Sequence, residues 1–146
     1  LTSIIFVTFI QNAVISPYVI FLAVILNTAI FDSSAYMIGS NFGKNKIAIN
    51  ISPNKTYEGL VGGLIVSVLY SYSLCIFLNL DFIVIIFLFL GCFFAFFGDL
   101  FISYYKRKSG IKDTGHFLPG HGGVLDRLDS HLIATPLILL LFSIVL

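Results

Sequence analysis

Residues 83–105 read IVIIFLFLGCFFAFFGDLFISYY, and Lys106, Arg107 and Lys108 follow at once. A helix that crosses a bilayer needs about 20 predominantly apolar residues. The stretch therefore predicts a transmembrane helix ending in a basic cluster at the membrane surface. Just upstream, Asn79, Leu80 and Asp81 make a tight turn after a second apolar run, 58–79. A third full span is expected over 18–39, and residues 131–146 begin a fourth. Residues 4–15 are apolar but too short to cross alone, and they contain Gln11 and Asn12; they read as the tail of a preceding span, closed by Ser16-Pro17. Two polar loops remain, 40–57 and 106–130.

Composition agrees with this outline. The 146 residues are 58% hydrophobic and only 10% charged, with a mean hydropathy of +1.04, whereas a soluble domain carries about 25% charged residues. Such a chain cannot cover a globular surface with polar groups, which excludes a soluble domain, a disordered tail and a disulfide scaffold. The net charge of +1 gives no reason to expect nucleic acid as a partner. Cys75 and Cys92 both lie in apolar runs and form no C-x-x-C pair, so they read as small lipid- or helix-facing residues. The expected architecture is an all-α polytopic helix bundle, a single membrane domain over 1–146, with the site in its cytoplasmic loops. Because the chain starts at Leu1 and stops within the apolar run 137–146, it reads as the C-terminal portion of a longer polytopic protein, or else as a short paralogue with a misjudged start. No basic region precedes the first apolar stretch, so no signal peptide is expected.

The cations set the orientation. Loop 40–57 holds Lys44, Lys46 and Lys55; loop 106–130 holds Lys106, Arg107, Lys108, Lys112 and Arg127. These are all eight Lys and Arg of the chain. Two crossings separate the loops, so both lie on one side, and the positive-inside rule makes that side cytoplasmic.

Two acids stand where hydrocarbon disfavours them, and two more lie at the cytoplasmic start of the last span. Asp32 lies in span 18–39 and Asp99 in span 83–105, where a carboxylate costs about 2.5–3.5 kcal/mol on insertion scales and normally faces a partner or a metal inside the bundle. Asp99, Ser103 and Lys106 are spaced i, i+4, i+7 and share one helical face. Asp126 and Asp129, three apart at the start of the last span, present two carboxylates side by side if that turn is helical; such pairs repel unless a cation sits between them. Carboxylates combined with substrate phosphates are the usual Mg²⁺ environment. The plainer alternatives are polar contacts between helices for Asp32 and Asp99, and a solvated acidic helix N-terminus for the other two.

Between Ser103 and Asp129, clustered cations alternate with Gly110, Gly115, Gly120, Gly122 and Gly123. Glycines let backbone N–H groups approach an oxyanion, and Lys or Arg neutralises phosphate. A polybasic patch on anionic lipid would explain Lys106 to Lys108. It would not explain His121-Gly122-Gly123 or the buried acids. The first loop adds Ser52-Pro53-Asn54-Lys55-Thr56-Tyr57-Glu58-Gly59, with Lys55 reaching toward the same cytoplasmic space, and Gly59, Gly62 and Gly63 open the next helix with small residues that permit close packing.

This constellation resembles the phosphatidate cytidylyltransferases, or CDP-diacylglycerol synthases. Ser103, Lys106-Arg107, Lys112-Asp113, Leu118-Pro119, His121-Gly122-Gly123, Asp126-Arg127 and Asp129 match that family's signature. Asp32-Ser33-Ser34-Ala35-Tyr36, Phe42-Gly43-Lys44 and Ser52 to Gly59 match a second element, so the resemblance spans about residues 25–136. Tyr57 stands where Trp is frequent in the family, and Ser40 where a basic residue is frequent. The resemblance implies transfer of a cytidylyl group from CTP to phosphatidic acid, giving CDP-diacylglycerol and pyrophosphate in phospholipid biosynthesis. It implies Mg²⁺ or another divalent cation on Asp99, Asp126 and Asp129. Lys106, Arg107, Lys112 and Arg127 would stabilise phosphate charge, and Ser103 would ligate metal or bond a phosphate oxygen. His121 would donate to a phosphate, act as an acid, or hold the loop by a structural hydrogen bond. Lys55, Asp113, Gly122 and Gly123 would bind substrate. The expected partners are CTP, phosphatidic acid, membrane lipid and a second copy in a homodimer, in a bacterial inner membrane or an organellar or ER membrane. Two other readings stand beside this one: a fragment of a transporter or ion pathway, which would also use buried acids and a basic loop, and a catalytically inactive truncated member.

Overall fold

The structure, a computed structural model, describes the backbone of residues 17–110 and 125–145 and the side chains of 18–110 and 130–142. Its elements run α1 (Pro17–Phe42), β1 (Lys46–Ala48), β2 (Ser52–Thr56), α2 (Tyr57–Leu78), α3 (Ile83–Lys108) and α4 (Leu125–Val145). The apolar segment 4–15 lies outside the described residues. Among the described residues three helices, Tyr18–Phe42, Tyr57–Leu78 and Ile83–Lys108, are long and apolar enough to cross a membrane. The architecture is a helical membrane bundle.

The helix ends follow local chemistry. Pro17 opens α1, where its missing N–H costs no hydrogen bond. Thr56, in extended conformation, caps α2 by accepting from Gly59 N at 3.1 Å. Asn79 closes α2 in the left-handed region at φ 52°, and Leu80 N donates back to Cys75 O at 2.9 Å; this is the tight turn expected at 79–81. The helix α3 runs three residues past the apolar stretch, because Lys106, Arg107 and Lys108 in its last turn complement the negative end of the helix dipole. Six residues are added at the start of α4, which begins at Leu125 instead of 131. Asp126 and Asp129 favour a helix N-terminus for the mirror-image reason.

Loop 40–57 is not irregular throughout. It folds into an antiparallel hairpin, Lys46 facing Thr56 and Ala48 facing Ser52. Periodicity could not reveal it, since the strands are short and polar and β2 contains Pro53, which only an edge strand tolerates. Two anchors fix the hairpin. At its base, Glu58 accepts from Asn45 N at 3.2 Å and Asn45 Nδ2 at 2.9 Å. At its tip, Arg107 Nε donates to Ile51 O at 3.3 Å. The hairpin thus lies across one end of the bundle, between the start of α2 and the end of α3.

The helix α1 packs along α2, and α3 along α4. Leu88, Val24, Ala95, Ala134 and Ile138 are fully buried in the main core, and Phe31 with Cys92 and Phe96 forms a second cluster nearer the hairpin. Neither cysteine faces lipid: both are buried, and Cys92 belongs to a polar network at the middle of the spans. There Asn27 Nδ2 donates to Leu88 O at 3.0 Å and Cys92 Sγ at 3.2 Å, Ser71 donates to Asn27 Oδ1 at 3.4 Å, and Cys92 donates to Ser67 Oγ at 3.2 Å. These bonds tie α1, α2 and α3 together where no water competes.

Close approach of α1 and α2 depends on Gly59. A Cβ there would lie 2.6 Å from Ala35 O and 3.0 Å from Gly39 Cα, atoms that move only if a helix moves. Gly59→Val is expected to destabilise the fold by about 1–3 kcal/mol through overpacking. A lowered thermal unfolding temperature in detergent would register this; an unchanged temperature would show that the helices can separate freely.

Candidate active site

The hairpin and the helix ends enclose a cavity of about 390 Å³. Asp32 and Tyr36 reach it from α1, Ser52, Asn54 and Lys55 from β2, Phe96 and Asp99 from α3, and Ser130 from α4. Every described helix except α2 supplies a polar group, and α2 supplies Gly59 and Leu60 to the wall.

Lys55 and Asp99 form its centre. Lys55 Nζ lies 2.5 Å from Asp99 Oδ2, with the two side chains only 19% and 28% exposed. The ammonium also sits 4.5 Å from the centroid of the Phe96 ring and donates to Phe96 O at 3.4 Å. The second oxygen of Asp99 accepts from Ser103 Oγ at 3.2 Å, one helical turn on, as the i, i+4 spacing predicts. Across the cavity the Asp32 carboxylate is hydrogen-bonded by Ser130 and experiences the charges of Asp99, Lys55 and His131. Two carboxylates and one ammonium therefore share a half-buried site at the end of the spans.

The structure brings Lys55, Asp99 and Ser103 into contact. Lys106 stands three residues beyond Ser103, half-buried in the last turn of α3. Arg107 points to the hairpin tip and does not line the cavity. The backbone of Asp126, Arg127 and Asp129 is helical, in the opening turns of α4, with their side chains outside the described residues. Lys112, Asp113, His121, Gly122 and Gly123 also lie outside them. Sequence reasoning did not assign Asp32, Asn54, Phe96 or Ser130 to the site. Asp32 carried a signal, being an acid at span depth; the other three are unremarkable residue types that only the tertiary fold places here.

The donors at hand, two carboxylates and the Ser103 and Ser130 hydroxyls, are hard oxygens of the kind Mg²⁺ takes. Among the described residues no group of three or more His, Cys, Asp or Glu could hold a metal alone. Asp126 lies four positions ahead of Ser130 on the same helix, so α4 delivers its acidic turn beside the cavity wall.

Fold and site together define a helical membrane protein with a charged, oxygen-rich cavity at one end of its spans. The chain belongs to the cytidylyltransferase family, whose model matches residues 1–145. It is similar to the phosphatidate cytidylyltransferase of Staphylococcus saprophyticus, with 44% identity over 110 residues, covering 73% of this chain and 42% of that protein. The enzyme of the same name from Thermotoga maritima is 38% identical over 132 residues, covering 84% of this chain and 48% of that protein. The chain thus spans a little under half the length of these curated relatives. A solved structure described as an intramembrane enzyme for archaeal membrane lipids biosynthesis has the same fold, with a TM-score of 0.64 at 19% identity, covering 82% of this chain and 76% of that one.

Proposed function

We propose that this chain carries the transfer of a cytidylyl group from CTP to phosphatidic acid, giving CDP-diacylglycerol and pyrophosphate. The observation that carries the reading is the Lys55–Asp99–Ser103 cluster in a cavity at the end of membrane spans, where a lipid headgroup and a water-soluble nucleotide can meet. A phosphatidate oxygen attacks the α-phosphorus of CTP; the new P–O bond forms as the bond to the β-phosphate bridging oxygen breaks, and pyrophosphate leaves. The attacking oxygen is already anionic, so no general base is required. What remains is positioning and neutralisation of charge. Lys106, Lys112 and Arg127 neutralise phosphate charge, Arg107 holds the hairpin tip, Lys55 with Asp113, Gly122 and Gly123 binds substrate, and His121 donates to a phosphate or holds its loop. Asp99 with Asp126 and Asp129 would hold Mg²⁺ or another divalent cation, which would supply neutralisation of phosphate charge. The reading includes a homodimer and no nucleic-acid partner. Its test is pyrophosphate release by the purified protein in detergent. Release that requires CTP, phosphatidic acid and a divalent cation together supports it; release independent of phosphatidic acid would refute it.

The reading also places the hairpin end of the bundle in the cytoplasm. Lys44, Lys46, Lys55 and the Lys106–Lys108 cluster all belong to that end, and the positive-inside rule assigns it to the cytoplasmic face. Cysteines introduced at Lys46 and Ser109, both exposed, should resist membrane-impermeant thiol reagents added to intact cells. Labelling of both from outside would reverse the orientation.

A further inference from the structure

Lys55 occupies the place of a cation. Its ammonium is bounded by the Asp99 carboxylate at 2.5 Å, the Phe96 carbonyl at 3.4 Å and the Phe96 ring face at 4.5 Å. The carboxylate and the carbonyl are oxygens that a hard metal ion also takes, whereas the ring face suits the ammonium alone. The lysine is not a stray surface side chain. It projects from β2, which is tied down at Glu58 and at Arg107, and it is mostly buried. Its single positive charge serves two carboxylates, because Asp32 experiences both the attraction of Lys55 and the repulsion of Asp99. Lys55 is the cation in contact with Asp99, and a divalent cation in its place would bring one more positive charge toward the two carboxylates.

We infer that Lys55 is the resident counter-ion of Asp99, that a divalent cation must displace it to use that carboxylate, and that the triphosphate of the nucleotide favours the exchange by taking the ammonium. The part played by the nucleotide rests on the cytidylyl-transfer reading; the competition for Asp99 does not. A lysine suits this task because its four-carbon stem moves the charge without moving the strand, and its point charge serves a carboxylate and a phosphate alike. Metal and nucleotide then bind with positive coupling, and linkage requires that each raise the affinity for the other by the same factor. The site thereby binds a catalytic cation more weakly until a nucleotide is present to receive Lys55.

The test is Mn²⁺ binding, followed by electron paramagnetic resonance on the purified full chain in detergent, without phosphatidic acid and so without turnover. Lys55→Met and Lys55→Gln remove the charge with an apolar and a polar isostere, and each is carried forward only if it elutes and unfolds thermally like the parent. In the absence of nucleotide, both are expected to bind Mn²⁺ about 10-fold more tightly than the parent, inside the usual coupling range of about 5–150-fold. Adding Asp99→Asn to either variant should cancel the gain. The increase in Mn²⁺ affinity produced by CTP should be smaller in both variants than in the parent, by the factor already gained without nucleotide. Unchanged or weaker Mn²⁺ binding by the neutral variants would overturn the competition, and equal CTP effects in parent and variants would overturn the exchange. Because the titration needs no product, either failure can be told apart from a failure of cytidylyl transfer, which pyrophosphate release reports separately.

Discussion

Asp99→Asn is expected to lower formation of the lipid product on the order of 10³-fold, the scale on which removal of one electrostatic stabiliser acts, while the protein still inserts and elutes as the parent does. The amide keeps the shape of the side chain and an oxygen that can accept from Ser103. It loses the charge that pairs with Lys55 at 2.5 Å and the charge that a hard dication requires, since neutral amides ligate Mg²⁺ poorly. Lys55 would still be held by Phe96 and by the field of Asp32, so the local packing survives and the loss falls on chemistry. Turnover near that of the parent in the purified variant would remove Asp99 from the site.

The second large effect is expected at Lys106, compared with Lys108. If the cluster at the end of α3 served only to attract anionic lipid, its cations would be interchangeable, each worth about 1 kcal/mol at the surface. They are not equivalent in place. Lys108 is exposed, whereas Lys106 is half-buried and follows Ser103 by three residues, on the face that carries Asp99. Removing a charge-assisted contact to a phosphate there costs about 2–4 kcal/mol, by analogy with lost oxyanion donors, or on the order of 30- to 1000-fold in rate. Lys106→Ala should therefore be nearly inactive and Lys108→Ala nearly normal, in micelles of fixed lipid charge. Equal losses that added anionic lipid reverses would favour a surface patch.

The helices were legible because hydrocarbon imposes a simple rule: long apolar runs between polar loops have few alternatives to a membrane helix. Their ends were less so. The apolar runs stop at 105 and start at 131, but helical hydrogen bonding extends to Lys108 and begins at Leu125, since charges that suit the helix dipole carry the backbone beyond the apolar boundary. The hairpin was invisible, because its stability comes from Glu58–Asn45 and Arg107–Ile51, contacts between residues 13 and 56 apart in sequence. Within the site, Asp99 and Ser103 could be paired from helical spacing alone. The pairing of Lys55 with Asp99, like that of Asp32 with Ser130, joins separate elements and needed the fold. The Asn27–Ser71–Cys92 network likewise could not be read from a chain in which these residues lie on three separate apolar runs.

Attack at the α-phosphorus of CTP shows in the fate of label placed at two positions of the nucleotide. The purified protein is incubated with phosphatidic acid, a divalent cation and CTP carrying ³²P at either the α or the γ position. The α-label is expected in the organic-extractable lipid, and the γ-label is expected to leave as pyrophosphate. Transfer of γ-label into lipid, or no label in lipid from either position, would contradict attack at the α-phosphorus.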